Sequence, residues 1–219
     1  SNLNSAYSVS YSSILNMLSK YSLKEAIELL EKSFFSYQNN FNIKKLQNTF
    51  TSKLEVLELL NFKNDNKKSM VLTETYRDNL IVGLELLESD FDKDMNFYLM
   101  LVCSGLSTTR HDLSLNELYV DTFIKFQIME EKINKMESFA GVKKITSIEI
   151  GWFSIFNEYL QSEDVESVLS KFNISIGDFI RAGKEASELS TKLFNIYRIK
   201  EFKMITDIFN DELIQKSMR

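Results

Sequence analysis

Four charged side chains recur at helical spacing in the last quarter of this chain: Arg181, Lys184, Glu188 and Lys192. Residues three and four apart are neighbours on an α-helix, so a helix beginning near Ile176 would present them on one polar face. The guanidinium of Arg181 could stack on a nucleobase or bond a phosphate group, and both contacts tolerate many base sequences. A solvated helix face with ordinary ion pairs has the same spacing. The spacing alone leaves both interpretations open.

An apolar face accompanies the polar one. Apolar side chains recur at three- and four-residue intervals between the charged positions, namely Phe179, Ala182, Ala186, Leu189, Leu193 and Ile196. This pattern predicts an amphipathic helix that packs on a bundle with one side and turns its charges toward a channel or solvent. Glu185 fits the second position of the polar face as well as Lys184 does, and the spacing does not decide between them.

Few other residues have the types and spacing that chemistry needs. His111 is the only histidine and Cys103 the only cysteine, so we expect no zinc site. A catalytic pair of these two is formally possible, but Cys103 follows two aliphatic residues and fits a core position better. No acidic cluster has metal-ligand spacing, and no glycine-rich loop precedes a Lys and a Ser or Thr that could hold ATP phosphates. We therefore predict no catalytic residue, metal or cofactor in this chain.

Composition points to a mainly helical protein. The 219 residues are 44% hydrophobic and include only six glycines and no proline, so no helix needs to be interrupted. The net charge of −5 argues against a broad basic surface for nucleic acid and leaves room only for a local stripe. A single cysteine suits a reducing cytoplasm, and no apolar run is long enough to suggest a membrane partner.

The N-terminal elements have the order of a winged-helix domain, which we predict to end at residue 77. Helices are expected at 13–20 and 23–38, with Ser22 and Glu25 as a capping box at the start of the second. Residues 39–52 are interpreted as a connection, 53–61 as a third helix and 64–68 as a turn. Residues 70–76 are rich in strand-forming types and are expected to form part of a small β-hairpin.

The rest of the chain, residues 78–219, is predicted to be an α-helical bundle domain. Everything from Asp78 onward is interpreted as helical: Leu80, Leu84 and Leu87 form an apolar stripe, and residues 93–104 are densely apolar. Further helices are expected at 114–138, 147–160, 163–171, 175–198 and 200–216, with a polar loop at 105–112. Trp152, Phe153 and Phe156 lie on one of these helices. Core packing is the default expectation for them, and a patch that faces a partner is the less favoured alternative.

Four segments occur in an order that resembles a known family. They are residues 3–18, residues 30–38, residues 54–62 and the segment 176–181, which opens a long helix. Together they resemble the C-terminal region of superkiller-type, exosome-associated DExH-box RNA helicases of superfamily 2. In that family this region consists of a winged helix followed by a helical domain called DSHCT, and the match covers nearly the whole chain.

The resemblance implies a non-catalytic accessory role in an ATP-dependent RNA helicase. The winged helix would brace the motor domains of the same polypeptide, to which ATP and Mg²⁺ would bind. The helical domain would close a ring around one strand of RNA, or possibly DNA. The helix that carries Arg181, Lys184, Glu188 and Lys192 would then line the channel. Arg181 would be a passive contact past which the motor pulls the strand.

Several positions depart from the family pattern. Only residues 39–52 occupy the place of the long arch insertion found in eukaryotic members, so no arch is expected. Tyr159 and Ser162 stand where the family usually has Trp and Gly, and Lys184-Glu185 replaces a basic pair. These departures suggest a divergent member of bacterial type with a less positive channel helix.

Two alternatives do not require a helicase. The chain could be a free-standing helical protein–protein interaction module with a winged helix. It could also be a DNA-binding transcription factor, but the recognition-helix candidate at 53–61 is acidic and apolar, which suits a phosphate-lined groove poorly.

Overall fold

The computed structural model describes residues 9–35, 43–107, 110, 116–143 and 146–212 of the chain. These residues are mainly α-helical, and no strand occurs among them. The prediction of a mainly α protein is confirmed. No helix of this described part is both long enough and apolar enough to cross a membrane.

The described residues fall into two compact units. The first contains the residues up to Asp78 together with Glu131–Thr146, and the second contains Asn79–Glu130 and the residues from Ser147 onward. Each unit has buried apolar side chains of its own, such as Phe50 in the first and Phe156 in the second. The assignment of different roles to residues 1–77 and 78–219 stays a prediction.

The first unit is built from four helices, one short turn and the end of a fifth helix. Its elements are α1 (Tyr11–Leu18), α2 (Leu23–Phe35), α3 (Ile43–Leu59), a 3₁₀ turn (Phe62–Asn64), α4 (Asn66–Thr75) and the last half of α7 (Val120–Ala140). Helix α1 packs against α2, α3 and α4. Its buried residues include Tyr11 and Ile14.

The predicted capping box at the start of α2 is confirmed. The Ser22 Oγ accepts a hydrogen bond from the Glu25 backbone N–H at 3.2 Å. In return, the Glu25 carboxylate accepts from the Ser22 N–H at 3.0 Å. Two backbone donors that the first turn would leave unpaired are thus satisfied by local sequence alone.

Helix α3 begins at Ile43, ten residues before the predicted start at 53, so the expected connection is wrong for 43–52. Leu46, Phe50 and Val56 are buried at helical spacing, which gives this stretch an apolar face despite its many polar residues. The Thr49 and Thr51 hydroxyls donate to carbonyls four residues earlier, at 2.9 and 2.8 Å, and so are satisfied within the helix. Residues 36–42 lie outside the described part.

The predicted β-hairpin is wrong, and with it the winged-helix assignment of residues 1–77, because residues 66–75 form helix α4. The Asp65 carboxylate caps this helix by accepting from the Lys68 N–H at 3.0 Å. Val71 and Leu72 are both buried, together with Lys68 one turn earlier, which fits a helix face and not a strand. The strand preference of this segment is thus overridden by a cap and by packing.

Seven helices and a short π-helix build the second unit. Its elements are α5 (Leu80–Leu87), α6 (Met95–Ser104), the first half of α7, α8 (Gly151–Ser162), α9 (Val165–Phe172), α10 (Ile176–Tyr197), α11 (Lys200–Asp207) and the π-helix (Ile208–Glu212). The predicted helices all occur, with shifted ends. The largest shifts are at α11, which is predicted to end at 216 and ends at Asp207 before the π-helix, and at α7, which is predicted to begin at 114 and begins at Val120.

The core of the second unit is aromatic. The Phe156 ring lies 4.5 Å from that of Phe209 and 6.0 Å from that of Phe179, measured between centroids. Trp152 and Phe153 are also buried, which confirms core packing for this aromatic segment. Cys103 is fully buried, and burial raises the pKa of its thiol, so it behaves as a core side chain and not as a nucleophile. His111 lies outside the described residues.

Two glycines show how closely helices approach one another. A Cβ placed on Gly83 of α5 would lie 2.6 Å from Leu101 Cγ of α6, closer than carbon atoms can pack. Gly177 in the first turn of α10 has open space, since a Cβ there would meet only the Ser175 Oγ at 3.8 Å. Gly83 is therefore required by packing, whereas Gly177 is not.

Four helices end on a residue in the left-handed conformation that usually favours glycine. These end residues follow α4, α8, α9 and α10 and have φ between 50° and 58°: Tyr76, Glu163, Asn173 and Arg198. Each donates its N–H to the carbonyl four residues earlier, as Tyr76 does to Leu72 at 2.9 Å. The chain thus terminates these helices without proline or glycine.

Candidate nucleic-acid interface

Helix α10 begins at a well-defined cap. The Ser175 Oγ accepts a hydrogen bond from the Asp178 N–H at 3.0 Å and donates to the Asp178 carboxylate at 2.9 Å. The negative charge of Asp178 in the first turn also interacts favourably with the partial positive charge of the helix N-terminus. The start of the helix at Ile176 is therefore fixed by local sequence.

One side of α10 is buried and fixes the orientation of the helix. Five of the six apolar residues predicted for this side are buried, namely Phe179, Ala182, Ala186, Leu189 and Leu193, and Ile196 is half-buried. This side packs against α6 and α11. The Ser187 Oγ also donates to the Asn210 side-chain oxygen at 2.8 Å. Because the bundle fixes this side of α10, it also fixes which residues of α10 are exposed on the opposite side.

The opposite side carries all four predicted site residues. Arg181, Lys184, Glu188 and Lys192 are exposed, and their spacing places them along one face of α10. Three of them are cationic and Glu188 is anionic. At 1.5 Å of rise per residue, the face from position 181 to position 192 is about 16 Å long. The helix thus offers a narrow stripe in which three cations and Glu188 lie beside Asp178.

Arg181 is engaged in a surface ion pair. Its Nη2 lies 2.7 Å from the Asp178 Oδ1, and the two side chains are 65% and 46% exposed. A pair this open to water contributes at most about 1 kcal/mol, so a phosphate group could compete for the guanidinium at low cost. The three-residue spacing of Asp178 and Arg181 on a helix is the sequence signal for this pair.

Glu185, the alternative to Lys184 on the polar side, is only half-exposed and is engaged by a loop. Its carboxylate accepts hydrogen bonds from the Ser107 N–H at 2.6 Å and the Ser107 hydroxyl at 2.8 Å. The two residues are 78 positions apart, so no local pattern could have revealed the contact. Glu185 therefore ties a loop to α10, and Lys184 takes the second position on the exposed stripe.

A buried carboxylate in the first unit is the other notable polar centre. Glu137 is fully buried and accepts from the Tyr11 hydroxyl at 2.7 Å, the Thr146 N–H at 2.7 Å and the Thr146 hydroxyl at 3.0 Å. Burial and the neighbouring Glu137 carboxylate raise the pKa of Tyr11, so its hydroxyl keeps the proton that it donates. With its oxygens engaged in this way, Glu137 serves as a structural tie between segments.

Metal or acid–base chemistry finds little support elsewhere. Among the described residues, no group of three or more His, Cys, Asp or Glu side chains could hold a metal ion. A groove of about 180 Å³ lies in the second unit, and the Glu158–Lys171 ion pair, 2.8 Å long, forms part of its wall. Its other lining residues are mainly amides and hydroxyls, and it includes none of the four residues of the α10 stripe.

A comparison of the chain with protein-family models, curated proteins and solved structures finds no match. The resemblance to the helicase C-terminal region therefore remains an expectation from the sequence.

Proposed function

We propose that this chain is a non-catalytic accessory region of an ATP-dependent RNA helicase and that α10 guides one nucleic-acid strand. The first unit would brace the motor domains of the same polypeptide, which would bind ATP and Mg²⁺. The second unit would hold α10 beside the strand. The observation that carries this proposal is the two-sided character of α10, with one side fixed in a bundle and the other exposing Arg181, Lys184 and Lys192.

The chemistry of the stripe suits a strand of any sequence. Arg181 could exchange Asp178 for a phosphate or stack on a base, and the two lysines would act as point charges toward the backbone. Glu188 could accept a hydrogen bond from a base amino group or a ribose hydroxyl. These contacts read no base sequence, which is what a helix that a strand slides past requires.

The binding should be weak and sensitive to salt. Glu188 and Asp178 dilute the positive charge of the stripe, and the whole chain carries a net charge of −5. Few phosphate contacts release few counterions, so the affinity should fall with salt along a shallow slope. Motor domains around the strand would supply the remaining affinity.

Titration of single-stranded RNA tests the proposal. Arg181→Ala should weaken binding several-fold and reduce the slope of log K against log salt by about one, because one phosphate contact is lost. Fluorescence anisotropy over a salt series measures both quantities. The same titration with a DNA strand of equal sequence shows whether ribose hydroxyls contribute.

Lys203→Ala is the matched control. Lys203 is an exposed cation on α11 that pairs with Asp207 on its own helix at 3.5 Å, just as Arg181 pairs with Asp178. Its removal should leave the affinity unchanged. Equal losses from the two variants, or no saturable binding of RNA by the wild type at low salt, would contradict a role for α10.

A further inference from the structure

The charges of α10 are distributed unevenly along its length. Residues 176–188 contain three acidic side chains and two basic ones, so this part of the helix carries a net charge of −1. Residues 189–200, which end α10 and begin α11, contain Lys192, Arg198 and Lys200 and no acidic residue, so their net charge is +3. An anionic strand would therefore be attracted more strongly to the C-terminal end of α10 than to its start.

Arg198 is held over an aromatic ring at this end of the helix. It is exposed and follows α10 in the left-handed conformation, with a φ of 58°. Its guanidinium carbon lies 5.5 Å from the centroid of the half-buried Phe194 ring, within the range of a cation–π interaction. Within the described part of the chain no acidic side chain forms an ion pair with Arg198, whereas Arg181 is paired with Asp178. The Arg198 guanidinium is therefore available to an anion without the loss of an ion pair.

The next acidic residue along the chain, Glu201, interacts with a different element. Glu201 follows Lys200 directly and is half-exposed. Burial, with a smaller contribution from the Glu201 charge, raises the pKa of the Tyr98 hydroxyl on α6. The Tyr98 ring also packs edge-on against the Phe202 ring, at 5.2 Å between centroids. Glu201 therefore lies near α6, and its carboxylate does not pair with Arg198.

We infer that Arg198, supported by the Phe194 ring, is a further nucleic-acid-binding residue at the C-terminal end of α10. A guanidinium can stack on a base or donate to a phosphate, and both contacts suit a strand of any sequence. Lys192 and Lys200, which are exposed before and after Arg198 in the chain, would attract the neighbouring phosphates. This inference rests on the proposed function, because it adds a second contact to the strand that α10 guides.

Arg198 also has a structural role that the experiment must separate from binding. A cation at the C-terminal end of a helix interacts favourably with the helix dipole, and its contact with Phe194 adds a cation–π interaction. An acidic polypeptide would be attracted by the same positive charge, but it has no bases to stack on the guanidinium. Affinity for RNA, its salt dependence and competition by an acidic polypeptide are therefore the quantities to measure.

Arg198→Gly removes the guanidinium without straining the backbone, because glycine adopts a φ of 58° readily, so the variant should fold. In fluorescence anisotropy it should bind single-stranded RNA about fivefold more weakly than the wild type, a loss at least as large as that of Arg181→Ala. The slope of log K against log salt should fall by about one. Phe194→Leu, which removes the ring, should weaken binding about twofold in the wild type and have no further effect in Arg198→Gly.

Glu163→Gly is the matched control, since Glu163 is exposed and ends α8 in the same left-handed conformation, with a φ of 53°. It should bind RNA as the wild type does. Unchanged binding by Arg198→Gly while Arg181→Ala weakens binding would overturn this inference alone, and no saturable binding by the wild type would overturn the proposed function with it. Equal losses from the two glycine variants, or displacement of the RNA by polyglutamate as effectively as by unlabelled RNA, would also overturn the inference.

Discussion

Glu137 shows how strongly one buried side chain depends on its partners. The carboxylate has no exposed surface and accepts three hydrogen bonds, from the Tyr11 hydroxyl and from the Thr146 backbone and side chain. A buried acceptor that loses a donor keeps its desolvation cost without the compensating bond. Loss of one donor to Glu137 should therefore lower the stability by more than the net contribution of one ordinary hydrogen bond.

Tyr11→Phe should lower the free energy of unfolding by about 1–3 kcal/mol, because it removes one donor to Glu137 and leaves the ring in place. Urea denaturation of the variant and the wild type measures the difference. Tyr21→Phe provides the control, since Tyr21 is 44% exposed and the same hydroxyl is removed in contact with water. A similar loss in both variants would show that the buried tie contributes nothing special.

Individual residues were predictable where their partners are close in sequence. The Ser22–Glu25 box and the polar face of α10 follow from three- and four-residue spacing, and the structure contains the box and exposes the face. The partners of Glu137 and Glu185 could not be found in this way. Tyr11 is 126 residues from Glu137, and Ser107 is 78 residues from Glu185, so only the folded chain brings them together.

At the scale of elements, the approach of α5 to α6 depends on a missing side chain. A methyl group on Gly83 would lie 2.6 Å from Leu101 Cγ, and both helices are buried along most of their length. Interiors are close-packed, so the neighbour cannot simply move aside. The pair of helices is thus positioned by the glycine.

Gly83→Ala should destabilise the protein by about 1–3 kcal/mol through overpacking. Gly177→Ala makes the same substitution in α10, where a Cβ has open space, and should stabilise by about 0.5–1 kcal/mol because alanine favours the helix. Thermal or urea unfolding of the two variants measures both signs. Stabilisation by Gly83→Ala would show that α5 and α6 do not pack this closely.

Helices are predicted correctly where apolar residues recur clearly at three- and four-residue intervals. They are predicted poorly where many polar residues interrupt this recurrence. Helix α10 was expected at 175–198 and spans Ile176–Tyr197. The Asn- and Thr-rich start of α3 has a narrow apolar face, so the sequence predicts a connection there. In α4, Val71 and Thr73 favour extended structure, so the sequence predicts a strand. In α4, the Asp65 cap and the buried Lys68, which donates to the Leu60 carbonyl at 2.8 Å, outweigh that preference.

For the whole molecule, the class of fold is the most readily checked property. The far-UV circular dichroism spectrum should be that of an α-helical protein, and NMR secondary shifts over residues 66–75 should be helical, since these residues form α4. The segment 176–197 serves as an internal helical reference. Extended shifts at 70–76 would restore the β-hairpin and the winged-helix assignment.

Composition predicts the mainly α class of the fold. It does not predict how the chain divides into two compact units. Absence of proline and a small number of glycines indicated long helices. The inclusion of Glu131–Thr146 with the residues up to Asp78 depends on contacts far apart in sequence, such as that between Tyr11 and Glu137. Sequence periodicity reports which face of a helix is apolar and not which distant segment covers it.

The left-handed helix ends have a practical consequence for protein engineering. Tyr76, Glu163 and Arg198 hold a conformation that glycine adopts without strain and that costs other residues roughly 1–2 kcal/mol. Some of that difference would be offset by the greater freedom of glycine in the unfolded chain. Glycine at these three surface turns could therefore give a more stable variant of the protein without a change to any core side chain.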